Sequence, residues 1–239
     1  MNLNGNTDFQ PVAFGIPAGR SEEFVARCNE RRAGCPRSHA ATAFTLIELL
    51  VVIAIIIVLV GLILATVGYV QKKGATSRAA AEIAAMSAAL ESYKADNGIY
   101  PRSTDTDALA PNSDPAGGNP TQAAFQNASL YLYKELSGDH DANRSVNAAD
   151  DLSGSGVVPK TYFTFKPNNL LPAPPSTLTV IAISDPFGNS YGYSTLESAN
   201  PGSANGNNPT FDLWSTAGET GKQSGENFTQ YQQRWIKNW

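Results

Sequence analysis

The sequence predicts an α+β protein. A long N-terminal α-helix, membrane-spanning in its first half and amphipathic in its second, packs on a small C-terminal antiparallel β-sheet. Three observations lead there. Residues 49–67 carry no charge and are almost all Val, Ile, Leu, Ala or Gly. No proline interrupts the chain between Phe44 and Tyr100. After residue 177, short β-branched and aromatic stretches alternate with turn residues.

The chain has 239 residues and a net charge of −4, with 16% charged residues. No basic patch dominates, so bulk charge gives no reason to expect a nucleic-acid partner. Four regions follow from composition: 1–43, 44–97, 98–176 and 177–239. In the first, Asn, Gly, Pro and Arg dominate without apolar periodicity, which predicts a disordered leader. The hydrophobic run follows this segment, so it is not built like a secretory signal peptide. Arg27, Arg31, Arg32 and Arg37 precede the span, which favours a cytoplasmic leader and an outward C-terminal part. Both cysteines, Cys28 and Cys35, lie in the leader. A pair of thiols there reads either as a metal or redox pair or as incidental residues, and a cytoplasmic leader keeps both reduced.

The helix is expected over about residues 45–97, crossing a membrane over about 46–70, because roughly 20 helical residues span a hydrocarbon core about 30 Å thick. Glu48 sits at the start of this run. A carboxylate in the middle of a lipid-embedded helix costs about 2.5–3.5 kcal/mol, so one beside the run asks for a partner or reaches for the interface. Further on, Ile83, Met86, Leu90 and Tyr93 recur at spacings of three and four and define one face. Asn97-Gly98 followed by Pro101 is a helix stop. Gly61 and Gly68 are candidate points of local melting.

In residues 98–176, Phe125 to Leu136 predicts a short helix and Tyr162 to Phe165 a short strand. Asp139 to Gly156 reads as a polar, mobile loop. Asp139, Asp141, Asp150 and Asp151 invite a calcium reading, but an EF-hand needs a fixed ligand pattern around a central Gly; the expectation is a solvated acidic loop. Pro172 to Pro175 reads as a stiff connector. In residues 177–239, Thr177 to Ile183 predicts a strand, Asp185 to Asn189 a turn, and Tyr191 to Tyr193 and Phe211 to Ser215 two more strands.

Phe44-Thr45-Leu46-Ile47-Glu48 and the apolar tract behind it resemble the N-terminus of the type IV pilin superfamily, which has Gly where this chain has Ala43. Four further stretches resemble the major pseudopilins of type II secretion systems: Tyr93 to Pro101, Asp185 to Asn189, Phe211 to Ser215 and Ile236 to Trp239. The resemblance implies cleavage between Ala43 and Phe44 by a prepilin peptidase, and methylation of the new Phe44 amine by the same enzyme. It implies an inner-membrane protein that assembles into a helical homo-oligomeric filament with a membrane platform and minor pseudopilins. In that filament Glu48 of one subunit neutralises Phe44 of its neighbour. Function as a structural subunit of a secretion pseudopilus is then expected, with a surface type IV pilus as the alternative. The family also binds calcium in the loop after Leu213-Trp214-Ser215. Here one ligand position falls near Glu219 and the other at Trp235, with Glu226 as a substitute; the competing expectation is a loop closed by Trp214, Trp235 and Trp239 alone. An enzyme is not expected: His39 and His140 lie in the leader and a loop, and no Gly-x-Ser-x-Gly, His-Glu-x-x-His or phosphate-binding loop occurs.

Overall fold

A computed structural model describes residues 44–176 and 178–239. The leader, with Ala43, Cys28, Cys35 and His39, lies outside the described residues. The chain divides into two units, Met1–Ala54 and Ile55–Trp239.

Helix α1 runs Leu46–Asn97, 52 residues. It passes Gly61 and Gly68 without a break, so the expected melting there is not seen. Its apolar first part is hydrophobic all round and exposed. This is a helix long and apolar enough to cross a membrane. The helix ends at Gly98, whose φ of 79° closes the last turn through a 2.8 Å bond from its N–H to the Lys94 carbonyl. That left-handed geometry is one that side chains resist.

The second part of α1 buries one stripe: Ala79, Ile83, Met86 and Leu90 are buried and Tyr93 is half-buried. The stripe faces α3 (Ala123–Ser137), whose Leu132, Tyr133 and Leu136 complete the same core. Fully burying a side chain such as Leu90 is worth about 1.5–3 kcal/mol. Shorter helices are α2 (Thr104–Ala108), α4 (Leu196–Ala199) and α5 (Phe228–Gln232).

The expected single sheet is two. β1 (Leu170–Leu171) pairs with β2 (Ala182–Ile183). β3 (Gly192–Ser194), β4 (Asp212–Ser215) and β5 (Ile236–Lys237) form a second antiparallel sheet in that order. A lone bridge, Ser184 to Ser190, flanks the Asp185–Asn189 turn. The strand expected from Thr177 shrinks to Ala182–Ile183. Pro172 follows β1 and has no N–H to extend the ladder, while the Val180 N–H is taken by the Ala142 carbonyl at 2.8 Å. The strand expected at Tyr162–Phe165 does not form either. The N–H groups of Tyr162 and Phe163 both donate to the Leu136 carbonyl at the end of α3, and the aromatic rings pack on the core instead.

A second core gathers Leu109, Phe125, Trp214, Tyr231 and Trp235. Trp235 stacks on Trp214 at 6.1 Å and Trp239 meets it edge-on at 5.9 Å. The Trp214 indole donates to the Gly117 carbonyl at 3.0 Å and the Tyr231 hydroxyl to Gly118 at 2.6 Å, so both polar tips are satisfied. Trp214 also lies flat against Gly192 across the strand pair: a Cβ there would stand 2.3 Å from its ring. Gly192→Ala is therefore expected to cost about 1–3 kcal/mol through overpacking. Gly221→Ala, which meets nothing within 4 Å, serves as the control. Thermal melts of the full chain in detergent check this; a Gly192→Ala protein that melts with the wild type would contradict the packing described.

Candidate functional site

The N-terminal end of α1 is built by Thr45 and Glu48. The Thr45 N–H and hydroxyl donate to Glu48 Oε2 at 2.8 and 2.9 Å, and the Glu48 N–H donates back to Thr45 Oγ1 at 3.3 Å. This is a capping box, in which Thr and the Glu three residues on satisfy each other's orphan donors. Its signature, Thr-x-x-Glu before an apolar run, is legible in the sequence and supplies a second role for Glu48 that motif reading alone overlooked. Both donors land on one carboxylate oxygen. Phe44 is 81% exposed.

The acidic stretch after α3 is not a solvated loop. Asp139 and Asp150 are fully buried while Asp141 is exposed. Counted from Asp139, the chain places Asp, Asp, Asn143, Ser145, Asn147 and Asp150 at the first, third, fifth, seventh, ninth and twelfth positions, the ligand ladder of an EF-hand loop. The expectation that the spacing matches no such loop is thereby corrected. The missing central Gly hid the pattern. That sixth position is Arg144, which adopts φ 76° and makes the sharp turn itself. Its guanidinium turns outward, donating to the carbonyls of Pro172 at 2.6 Å and Leu178 at 3.0 Å.

One oxygen from each of Asp139, Asp141 and Asp150 lies within 4.8 Å of the other two. Among the described residues no Lys or Arg forms an ion pair with any of them. Backbone amides hold the geometry. Asp139 accepts from the N–H groups of Asn143 and Arg144 at 3.1 and 2.7 Å and from the Tyr133 hydroxyl at 2.6 Å. Asp150 accepts from Asp141 at 3.1 Å and Asn147 at 2.8 Å. Burial pushes the Asp139 carboxyl above its usual range, against the pull of Tyr133 and Arg144. At Asp150 burial acts the same way, but the Asn147 and Asp141 amides outweigh it and the net direction is down. Asp151 stands apart, holding Ser153 and Ser155. The residues present thus suit a hard cation that takes oxygen ligands.

Glu219 and Glu226 are also brought together, but around Arg234. Arg234 Nε donates to Glu219 Oε1 at 2.9 Å, and Nη2 donates to Glu219 Oε2 at 2.5 Å and to Glu226 Oε2 at 2.9 Å. Nη1 completes the fork on Glu226 Oε1. No carboxylate oxygen of the pair is left without a guanidinium N–H.

This loop rests on the Asp185–Asn189 turn. Asn189 Nδ2 approaches the Glu219 carbonyl at 3.5 Å, and Gly218 lies against the Phe187 ring. Asp185 anchors the turn: its Oδ1 accepts from the Phe187 and Asn189 amides, each at 2.9 Å, and its Oδ2 from the Ser215 hydroxyl at 2.5 Å. Elsewhere, a cleft beside α3 is lined by Tyr133, Ser137, Arg144, Thr161, Phe163 and Phe165, with no imidazole or thiol among them. Compared with protein-family models, with curated proteins and with solved structures, the chain matches none.

Burial pushes the Asp185 carboxyl above its ordinary value, more than its hydrogen bonds pull it down. A folded-state value above the unfolded one means that folding favours the proton. This group's contribution to stability therefore rises as pH falls through the folded value and is least favourable at neutral pH. Asp185→Asn keeps the geometry, with Oδ1 accepting both amides and Nδ2 donating to Ser215, and removes the charge. Its melting temperature is expected to compare best with the wild type at about pH 7 and to lose ground toward about pH 4. A difference that does not change with pH would contradict the burial argument.

Proposed function

We propose that this chain is a structural filament subunit, a major pseudopilin of a type II secretion pseudopilus, and not an enzyme. The observation that carries the reading is α1. Its first part is apolar and exposed on every side, and one carboxylate, Glu48, sits at its start beside Phe44. Lipid covers such a surface before assembly, and identical helices cover it afterwards. The leader lies on the cytoplasmic side and the C-terminal part faces out. A prepilin peptidase cuts before Phe44 and methylates its amine, and a membrane platform with minor pseudopilins receives the subunit.

Glu48 makes assembly selective. In the single chain its Oε2 is occupied by Thr45, and the carboxylate still carries a full negative charge. Pairing with the Phe44 amine of a neighbour removes both charges from lipid together. A buried pair with one partner missing costs about 3–5 kcal/mol, which penalises a wrong register. The uncut leader blocks both the charge and the approach. A surface type IV pilus is the second reading and uses the same helix chemistry.

Glu48→Gln separates the two roles of this residue, because Gln also serves a capping box. The variant is expected to insert and be processed but to form no filaments in the native host. Normal filaments would sink the charge-pair account.

The cofactor belonging to this reading is calcium in the loop 139–150. Asp139, Asp141, Asn143, Asp150 and the Ser145 carbonyl would hold it, and the ion would tie α3 to the segment around Val180. Calcium is expected to raise the melting temperature of the full chain in detergent, by the equivalent of about 2.7 kcal/mol at a hundredfold excess over Kd. Asp150→Asn is expected to abolish the shift. A wild-type melt indifferent to calcium would remove the ion from the account and leave the filament reading standing.

A further inference from the structure

The resemblance noted above would put a calcium ion in the loop after β4, and the residues there do not fit one. Calcium takes six to eight oxygen ligands at about 2.3–2.6 Å. Here all four carboxylate oxygens of Glu219 and Glu226 accept from one guanidinium. The planar fork of Arg matches paired carboxylates, carries its charge at every ordinary pH, and cannot dissociate from the chain.

We infer that Arg234 is a built-in cation that closes the C-terminal loop and makes its closure independent of divalent metal. Each part of the loop is tied to it. Glu219 sits where its own carbonyl accepts from the Thr216 hydroxyl at 2.6 Å, which fixes the turn out of β4. Glu226 also accepts from the Gln223 N–H at 3.0 Å, so the far side of the loop closes on the same centre. Arg234 lies over the Tyr231 ring at 5.4 Å, and the next residue, Trp235, stacks on Trp214. The guanidinium is therefore held against the aromatic core as well as by the carboxylates. Lys222, between the two glutamates in sequence, is drawn off to Asp114 at 2.7 Å and anchors the outer edge. The arrangement leaves two acidic loops with opposite requirements. At 139–150 three carboxylates converge with no side-chain cation from the described residues. At 216–226 the cation is part of the chain.

Trypsin reads both loops in one digest of the detergent-solubilised full chain, because Arg144 lies in the first and Lys222 in the second. Cleavage after Lys222 is expected at the same rate in calcium and in EGTA for the wild type. In Arg234→Ala the loop loses its closure, and cleavage after Lys222 is expected to rise about tenfold. If that variant does not fold, Glu219→Gln with Glu226→Gln keeps Arg234 and the side-chain shapes, and the same acceleration is expected. Calcium protection of Lys222 in the wild type would overturn the inference. So would variants cut there at the wild-type rate. Protection of Arg144 by calcium reports on the other loop and on the filament protein's cofactor alone.

Discussion

A carboxylate at the head of a long helix whose first part is wholly apolar is the constraint on which this chain turns. Residues 49–67 are uncharged and form a helix with no polar face. Such a surface is stable only in lipid or against its own kind. Glu48 adds a charge that neither environment accepts alone. The capping box with Thr45 occupies one of its oxygens and brings no positive charge. In the proposed membrane-inserted subunit, the one charge at the helix start is better placed beside a cation, and assembly of the proposed filament would supply that cation only in one register. The second part of α1 has a different task. Its narrow stripe from Ala79 to Tyr93 meets α3 and both sheets, and the Tyr191 hydroxyl reaches Glu82 on the same helix at 2.7 Å. The helix type is the same along its length; what changes is how many of its faces are apolar.

Acidic side chains converge at several places beyond the apolar part of α1, and the fold handles them in three ways. Asp185 is enclosed by amides and a hydroxyl, and remains a turn anchor. Glu219 and Glu226 converge on Arg234. Asp139, Asp141 and Asp150 converge with no ion pair among the described residues, and an exchangeable cation is proposed there. The C-terminal aromatic cluster supports the second solution, since the Tyr231 ring lies against the guanidinium and the neighbouring Trp235 is stacked on Trp214. The expectation of a loop closed by tryptophans alone therefore contained half of the closure.

Much of the layout was legible because it rests on local rules. The absence of proline and the Asn97-Gly98 stop bracketed α1, and the three-and-four spacing picked out its buried face. Phe125 to Leu136 predicted α3 for the same reason. The Asp185–Asn189 turn and the Tyr193 and Trp214 strands followed from turn chemistry and β-branched or aromatic composition. The two strands that differ share a cause: they depend on partners distant in sequence. Thr177 to Ile183 has strand composition throughout, but a ladder needs a neighbour, and Pro172 ends β1 after two residues. Tyr162 to Phe165 lost its strand because the end of α3 took its amides. The loop at Asp139 was passed over for a local reason of another kind. Its ligand spacing is complete, but Arg144 stands where a Gly was required, and only the backbone angle shows that an arginine meets the same need. Arg234 was invisible as a partner, being fifteen residues from Glu219 and eight from Glu226.

The filament reading rests on removal of the leader at Ala43, because only then does Phe44 carry an amine that Glu48 of a neighbour can meet. The most direct test is the intact mass of the protein extracted from membranes of its native host. The account predicts a chain that begins at Phe44 and is heavier by one methyl group. A mass that retains residues 1–43 would contradict it, since a subunit with its leader in place has neither the charge nor the clearance to pack against its neighbour.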